Sequence, residues 1–278
     1  MAVTTSQASL ARRLAEEIPD IDQGLPVWAR RSNPIVRRQL KMYWRTFPPQ
    51  PVPILRWFAL QAGLVVLTVF IPLLFVILLT FLLAAMMLLP YAFALYARTL
   101  AYIAAESATA LSDEYKNDTL VTLRVTPYSV MEIILSKVAA SVWRYMDDFD
   151  QVLSFALFLS MPSVAILYLT SWPPQDYPLV AQFMTIVTFA ACLIRLPLEM
   201  FMVSSLGAMM GAATHMRSSA LLSAGVLGFF YFLLINLARL LPMGWVARLL
   251  VDAVLPVVLP LVISYVALRI THFFVARD

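Results

Sequence analysis

The sequence predicts an all-α polytopic membrane protein with six transmembrane helices, an N-terminal interfacial amphipathic helix and a cytoplasmic helical polar segment. Three observations predict it. Hydrophobic residues make up 62% of the 278 residues and charged residues only 13%, against roughly 25% charged in a soluble domain. The mean hydropathy is +0.82. The apolar runs are continuous rather than alternating, which suits helices and not barrel strands.

The first 53 residues form the one long polar terminal region. No apolar core follows Met1, so no cleaved signal peptide is expected. A short helix is expected over 9–18 and a loop over 20–26. A second helix, over 33–47, opens at Asn33-Pro34. Ile35, Val36, Leu40, Tyr43, Trp44 and Phe47 gather on one side, and Arg37, Arg38, Lys41 and Arg45 on the other. A basic, aromatic-rich amphipathic helix lies in the headgroup plane; the plainer alternative is a soluble helix packed on a protein partner. Pro48, Pro49, Pro51 and Pro53 end it.

The remaining chain, 54–278, is the transmembrane domain. A span needs about 20 apolar residues. The stretch from Trp57 to Ala104 carries Arg98 as its one charge, so it predicts two spans, about 56–79 and 81–104, with a turn near Thr80. Pro72 and Pro90 would each kink a span. A polar segment over 106–150 follows. Four further spans are predicted at about 152–169, 179–213, 220–238 and 253–274, with Pro197 as a bend in the long fourth and Pro256 and Pro260 inside the sixth. Nine Lys or Arg lie up to Arg56, and Lys116, Arg124, Lys137 and Arg144 lie in the polar segment. Arg217, Arg269 and Arg277 join that side, against Arg239 and Arg248 on the other. The positive-inside rule then places both termini and the polar segment in the cytoplasm.

Asp113 to Lys137 is the polar island of the chain. Thr126-Pro127 interrupts it, because a proline disfavours helix at the residue before it and suits the first turn of a new one. A short helix, a break and a second helix from about Tyr128 are expected, the second with Val130, Ile133, Ile134 and Lys137 at helical spacing.

This stretch resembles the cytoplasmic segment of permease subunits of ABC-2 type ABC transporters. That family places an acidic-basic cluster before a Thr-Leu pair, a Leu, a Thr-Pro and a helix ending in Leu-x-Lys. Glu114, Lys116, Thr119-Leu120, Leu123, Thr126-Pro127 and Leu135-Ser136-Lys137 stand at those places. Asp118 and Val121 stand where the family usually has Gly and Glu. Asn-Pro-Ile-x-Arg-Arg at Asn33–Arg38 also resembles the start of the interfacial helix in some of these permeases. The resemblance implies an ATP-driven transporter, an exporter by expectation, in the plasma or inner membrane. It implies a homodimer or a heterodimer with a second permease, and a separate cytoplasmic nucleotide-binding ATPase. Glu114, Lys116, Thr119, Leu120, Arg124, Thr126, Pro127, Glu132 and Lys137 are the residues it implies for ATPase coupling. The alternative is a non-transporting accessory subunit of a larger membrane complex built on the same fold.

Other residues carry less. Arg195 and Glu199 stand four apart in the fourth span, where they can pair on one helix face. A charge at bilayer depth faces protein or water, so the pair is either a polar point on a substrate path or at a subunit interface, or a structural ion pair. Gly207 and Gly211 form Gly-x-x-x-Gly, read as helix packing. Asp147, Asp148 and Asp150 cluster before the third span, and are read as a solvated helix edge in preference to a metal site. His215 and His272 lie far apart, and Cys192 is the single cysteine. No phosphate-binding Gly-x-x-x-x-Gly-Lys-Ser/Thr loop and no intramembrane protease pattern is present. Neither enzymatic activity nor a cofactor or metal is expected of this chain, the basic residues sit at membrane boundaries, and no nucleic acid is expected as a partner.

Overall fold

The computed structural model describes residues 22, 24–40, 51–71, 73–171, 178–241 and 244–277. Among them the regular elements are helical and no strand occurs. A single 3-10 turn at Val27–Ala29 precedes α1 (Pro34–Leu40). There follow α2 (Pro51–Phe70), α3 (Leu74–Lys116), α4 (Thr119–Arg124) and α5 (Val130–Arg144). Next come α6 (Met146–Ser171), α7 (Pro178–Thr214), α8 (Arg217–Leu240) and α9 (Trp245–Leu249). A π-helical turn, Leu250–Val254, then leads into α10 (Leu255–Arg277).

Four stretches of the described residues are long and apolar enough to cross a membrane: Ala85–Lys116, Leu179–Thr214, Arg217–Arg239 and Ala247–Arg277. Val52–Thr68 is a shorter apolar helix.

The break between the first two long helices is not at Thr80. Thr80 lies inside α3, and the helix is interrupted at Ile71 and at Leu73, the residues on either side of Pro72 in the sequence. A proline lacks the N–H a helix interior needs and disfavours helix just before it, whereas nothing at Thr80 breaks a helix. Nor does the second helix stop at Ala104. It runs to Lys116, a 43-residue rod of about 64 Å at 1.5 Å per residue. Its polar last turns are helical because they have partners: Ser107 donates to the Ser204 carbonyl (2.7 Å), and Glu106 pairs with Arg144. Pro90, Pro197 and Pro260 are accommodated inside their helices.

The centre of the bundle is the contact of α3 with α7. A Cβ built on Gly207 would lie 2.4 Å from the Ala104 carbonyl oxygen, and one on Gly211 2.4 Å from that of Ala108. The spacing of four recurs on both helices, so they run in the same direction in register. In lipid, apolar side chains gain little from leaving their surroundings, and close approach of small residues supplies the van der Waals packing instead. Hydroxyls add directional bonds at the same level. Ser141 of α5 and Ser204 of α7 share a hydrogen bond of 2.6 Å, and Ser204 also reaches the Val138 carbonyl (3.1 Å). Leu268 and Val275 of α10 close this layer against Leu111, Ala208 and Ala212.

At the other end of the bundle, Phe58 of α2 stacks on Phe189 of α7 at 5.2 Å. Gln61 donates to the Leu157 carbonyl of α6 (2.7 Å). Asp252 in the π-helical turn takes Arg239 (3.3 Å) and Arg248 (3.4 Å).

Candidate functional site

The polar island folds into a junction of three helices. Asn117 ends α3, and Asp118 turns the chain with φ 53°, in the left-handed region that Gly favours and Asp and Asn tolerate. The short α4 follows. Leu120 and Leu123 are buried, Leu120 against Leu111, Ile134 and Val138, and Leu123 against Ile35 and Ile133. Val121 and Val125 point outward, 66% and 83% exposed. The short helix and the Val125 that caps its C-terminus thus present two surfaces, one fixed to the bundle and one exposed.

The break after α4 falls at Thr126–Tyr128, and α5 begins at Val130, two residues later than the Thr-Pro alone suggests. Ser129 and Glu132 explain the difference. The Ser129 hydroxyl accepts from the Glu132 N–H (3.2 Å), and the Glu132 carboxylate accepts from the Ser129 N–H (2.8 Å). This reciprocal cap satisfies two orphan donors of the first turn. These bonds hold the Glu132 carboxyl below its usual 4.5.

The junction is locked by Lys137. Its ammonium donates to the Glu114 carboxylate (2.9 Å) and to the Ala110 carbonyl (3.0 Å), both on α3. Glu114 also accepts from the Thr119 hydroxyl on α4. Two carboxylate oxygens therefore tie three helices together. Lys137 is 5% exposed and Glu114 13%. Burial pulls the Lys137 ammonium below its ordinary 10.5, and the neighbouring Glu114 carboxylate offsets part of that.

Of the residues the resemblance selected, Glu114, Thr119, Leu120 and Lys137 meet in this junction. Lys116 is exposed and stands apart, on a cavity shared with His215 and Arg217. Pro127 is exposed in the break, and Glu132 serves the cap. Thr126 turns back to the Leu123 carbonyl. The Arg124 side chain lies outside the described residues.

The amphipathic helix differs from the expectation. Within α1, Ile35, Val36 and Leu40 are buried against α4 and α5, while Arg37 and Arg38 are exposed. The apolar face of this part is covered by protein and is not left for the headgroup plane. Asn33 explains the docking: its side chain caps α1 through the Ile35 N–H (2.9 Å) and donates to Ser136 of α5 (3.3 Å). Trp143 adds a bond to the Ala29 carbonyl (2.9 Å), with the Arg31 guanidinium 5.0 Å from its ring centroid. Lys41, Trp44 and Arg45 lie outside the described residues, as does the expected helix over 9–18.

A cavity of about 530 Å³ opens between α1, α3, α4 and α5. Arg38, Lys137 and Arg144 line it together with Glu106, Asp113 and Glu114, so its charges balance. Arg98 pairs with Asp148 (3.3 Å) across an exposed edge. Among the described residues no three His, Cys, Asp or Glu side chains converge on a metal position.

Deeper in the bundle, Arg195 does pair with Glu199 along α7. Glu199 is fully buried, and two phenols that the sequence reading did not select complete its shell. Tyr231 of α8 donates to one oxygen (2.7 Å) and Tyr96 of α3 to the other. A buried charge needs such full satisfaction. Tyr231 is the one Tyr of its apolar run, whereas Tyr96 shares its run with Tyr91 and Tyr102, so tertiary packing alone can assign these partners. Gly207 and Gly211 face α3 within this chain, as described above.

No family model, no curated protein sequence and no solved structure matches this chain.

Proposed function

We propose that the chain is the permease subunit of an ABC-2 type ATP-driven transporter, working as a dimer with separate ATPase subunits. The observation that carries the reading is the placement of α4. It is a short helix strung between the end of the α3 rod and the capped start of α5, anchored by Glu114 and Lys137, with Val121 and Val125 turned outward. A push on such an element passes into α3 and α5 without being absorbed by a loop. The family's Gly position holds Asp118 in the left-handed conformation that Gly suits, so the departure in residue type keeps the turn.

In this reading α2, α3, α6, α7, α8 and α10 make six spans. Both termini and α4 lie in the cytoplasm of a cell with this protein in its plasma or inner membrane. Substrate moves outward as the ATPase pair closes. Val121, where the family usually has Glu, leaves the outward face of α4 apolar. That favours, as a second reading, a permanent docking surface in a non-transporting complex.

The test replaces Val121 and Val125 together with Asp. Both side chains are exposed, so folding is retained. Loss of permease-stimulated ATPase activity, with the partner still bound weakly or not at all, is expected. Unchanged stimulation overturns the coupling role, and an intact large complex without any ATPase selects the second reading.

A further inference from the structure

The Arg195–Glu199 group borders a cavity of about 260 Å³ that Cys192, Phe232 and Asn236 also line. A second cavity of about 560 Å³ adjoins it between α3, α6 and α7, and Phe93, Tyr96, Ala156 and Leu196 belong to both. The larger one is walled by Leu89, Phe93, Val152, Phe155 and Leu159 and is almost wholly apolar. Ligand cavities run about 300–1,000 Å³, apolar with a few convergent polar groups, and the two together have that form: an apolar arm with one polar end.

The chemistry of the polar end sets the occupant. Glu199 is fully buried and is already taken by three donors of its own chain, Arg195, Tyr96 and Tyr231. It has little acceptor capacity left for a ligand. Arg195 commits its Nε to Glu199 and stands in the cavity wall, its guanidinium 5.9 Å from the Phe232 ring centroid. A guanidinium carries five donors, so beside a long apolar arm the cavity offers a donor-rich guanidinium with N–H groups beyond the one committed to Glu199. We propose that the joined cavities bind an anionic phospholipid from the bilayer, its acyl chain between α3 and α6 and its phosphate against Arg195. A free phosphate would leave the apolar arm empty, and a neutral lipid would leave Arg195 unused. The proposal uses no ATPase and stands apart from the coupling reading, so either can fail alone.

Cys192 is the one cysteine of the chain and lies in the cavity wall, so its rate of alkylation reports occupancy. The full chain in nanodiscs of neutral lipid is treated with N-ethylmaleimide alone, or with lysophosphatidic acid, the monoacylglycerol of the same chain, or inorganic phosphate. At ten times its dissociation constant lysophosphatidic acid is expected to slow labelling about tenfold, with little effect from the other two. Ala156→Phe fills the neck between the cavities and leaves the polar group untouched; labelling of this variant is expected to persist and protection to vanish. Arg195→Gln is expected to reduce lysophosphatidic acid to the level of the monoacylglycerol. Equal protection by the neutral lipid, protection by phosphate alone, no protection at all, or full protection of Ala156→Phe would each overturn the proposal.

Discussion

Lys137→Met tests the junction most sharply. The substitution keeps the length and volume of the side chain and removes its charge. Two hydrogen bonds are lost, to the Glu114 carboxylate at 2.9 Å and to the Ala110 carbonyl at 3.0 Å. Glu114 keeps the Thr119 hydroxyl and its 13% exposure, so it is stranded but not sealed from water. Breaking a buried pair by removing one partner costs about 3–5 kcal/mol, and the residual exposure places this case near about 3 kcal/mol. One kcal/mol moves the melting temperature of a chain this size by roughly 2–4 °C, so a fall of about 10 °C is expected. Thermal unfolding followed by Trp fluorescence at fixed detergent reads it. Lys137→Met with Glu114→Gln removes both charges and is expected to recover about half of the loss, because no carboxylate is then left unpaired. A single variant that melts within a degree or two of the parent, or a double variant no better than the single, would refute the idea that this pair holds α3, α4 and α5 together.

Other outcomes follow from the same geometry. Gly207→Val places side-chain atoms where even a Cβ lies 2.4 Å from a backbone oxygen of α3; overpacking costs about 1–3 kcal/mol, and Gly225→Val, with open space around it, is the control that should melt like the parent. Ser129→Ala removes the cap of α5 and is expected to cost about 1 kcal/mol, read in the same melt. Glu132 is held below its usual 4.5 in the fold, so its contribution is present above that value and fades as pH falls through the depressed one. Stability measured across the acid range should therefore fall more steeply for the parent than for Glu132→Gln. Tyr231→Phe strips one donor from the buried Glu199 carboxylate and is expected to destabilise by about 1–3 kcal/mol, whereas Tyr91→Phe on an exposed face of α3 should be silent.

What the sequence made legible is periodic or local. The long apolar runs predicted helices. The α7 limits fall within a residue of expectation, because polar or proline residues bound a clear run. Thr126-Pro127 marked the break between α4 and α5, and the spacing of Arg195 and Glu199 predicted their pairing. The Ser129–Glu132 cap is equally local, a Ser-x-x-Glu before an apolar run, beside the more conspicuous proline. The rest was tertiary. The apolar face of α1 is amphipathic in the same way whether lipid or α5 covers it, and only Asn33 and Trp143 decide between them. Tyr96 and Tyr231 lie 103 and 32 residues from Glu199, beyond any spacing rule. No Gly or Asn marks a turn near Thr80, while Pro72, a residue that disfavours helix before it, stands eight residues earlier in the same apolar run.

The central claim is that this chain works with a separate ATPase. The most direct measurement is affinity purification of the full chain in mild detergent, with mass spectrometry of what co-elutes. A nucleotide-binding ATPase in about equal amount, lost when Val121 and Val125 are both replaced by Asp, is the predicted result. A stable assembly without any ATPase, unchanged by those substitutions, would contradict the account and make the outward face of α4 a docking surface for another kind of partner.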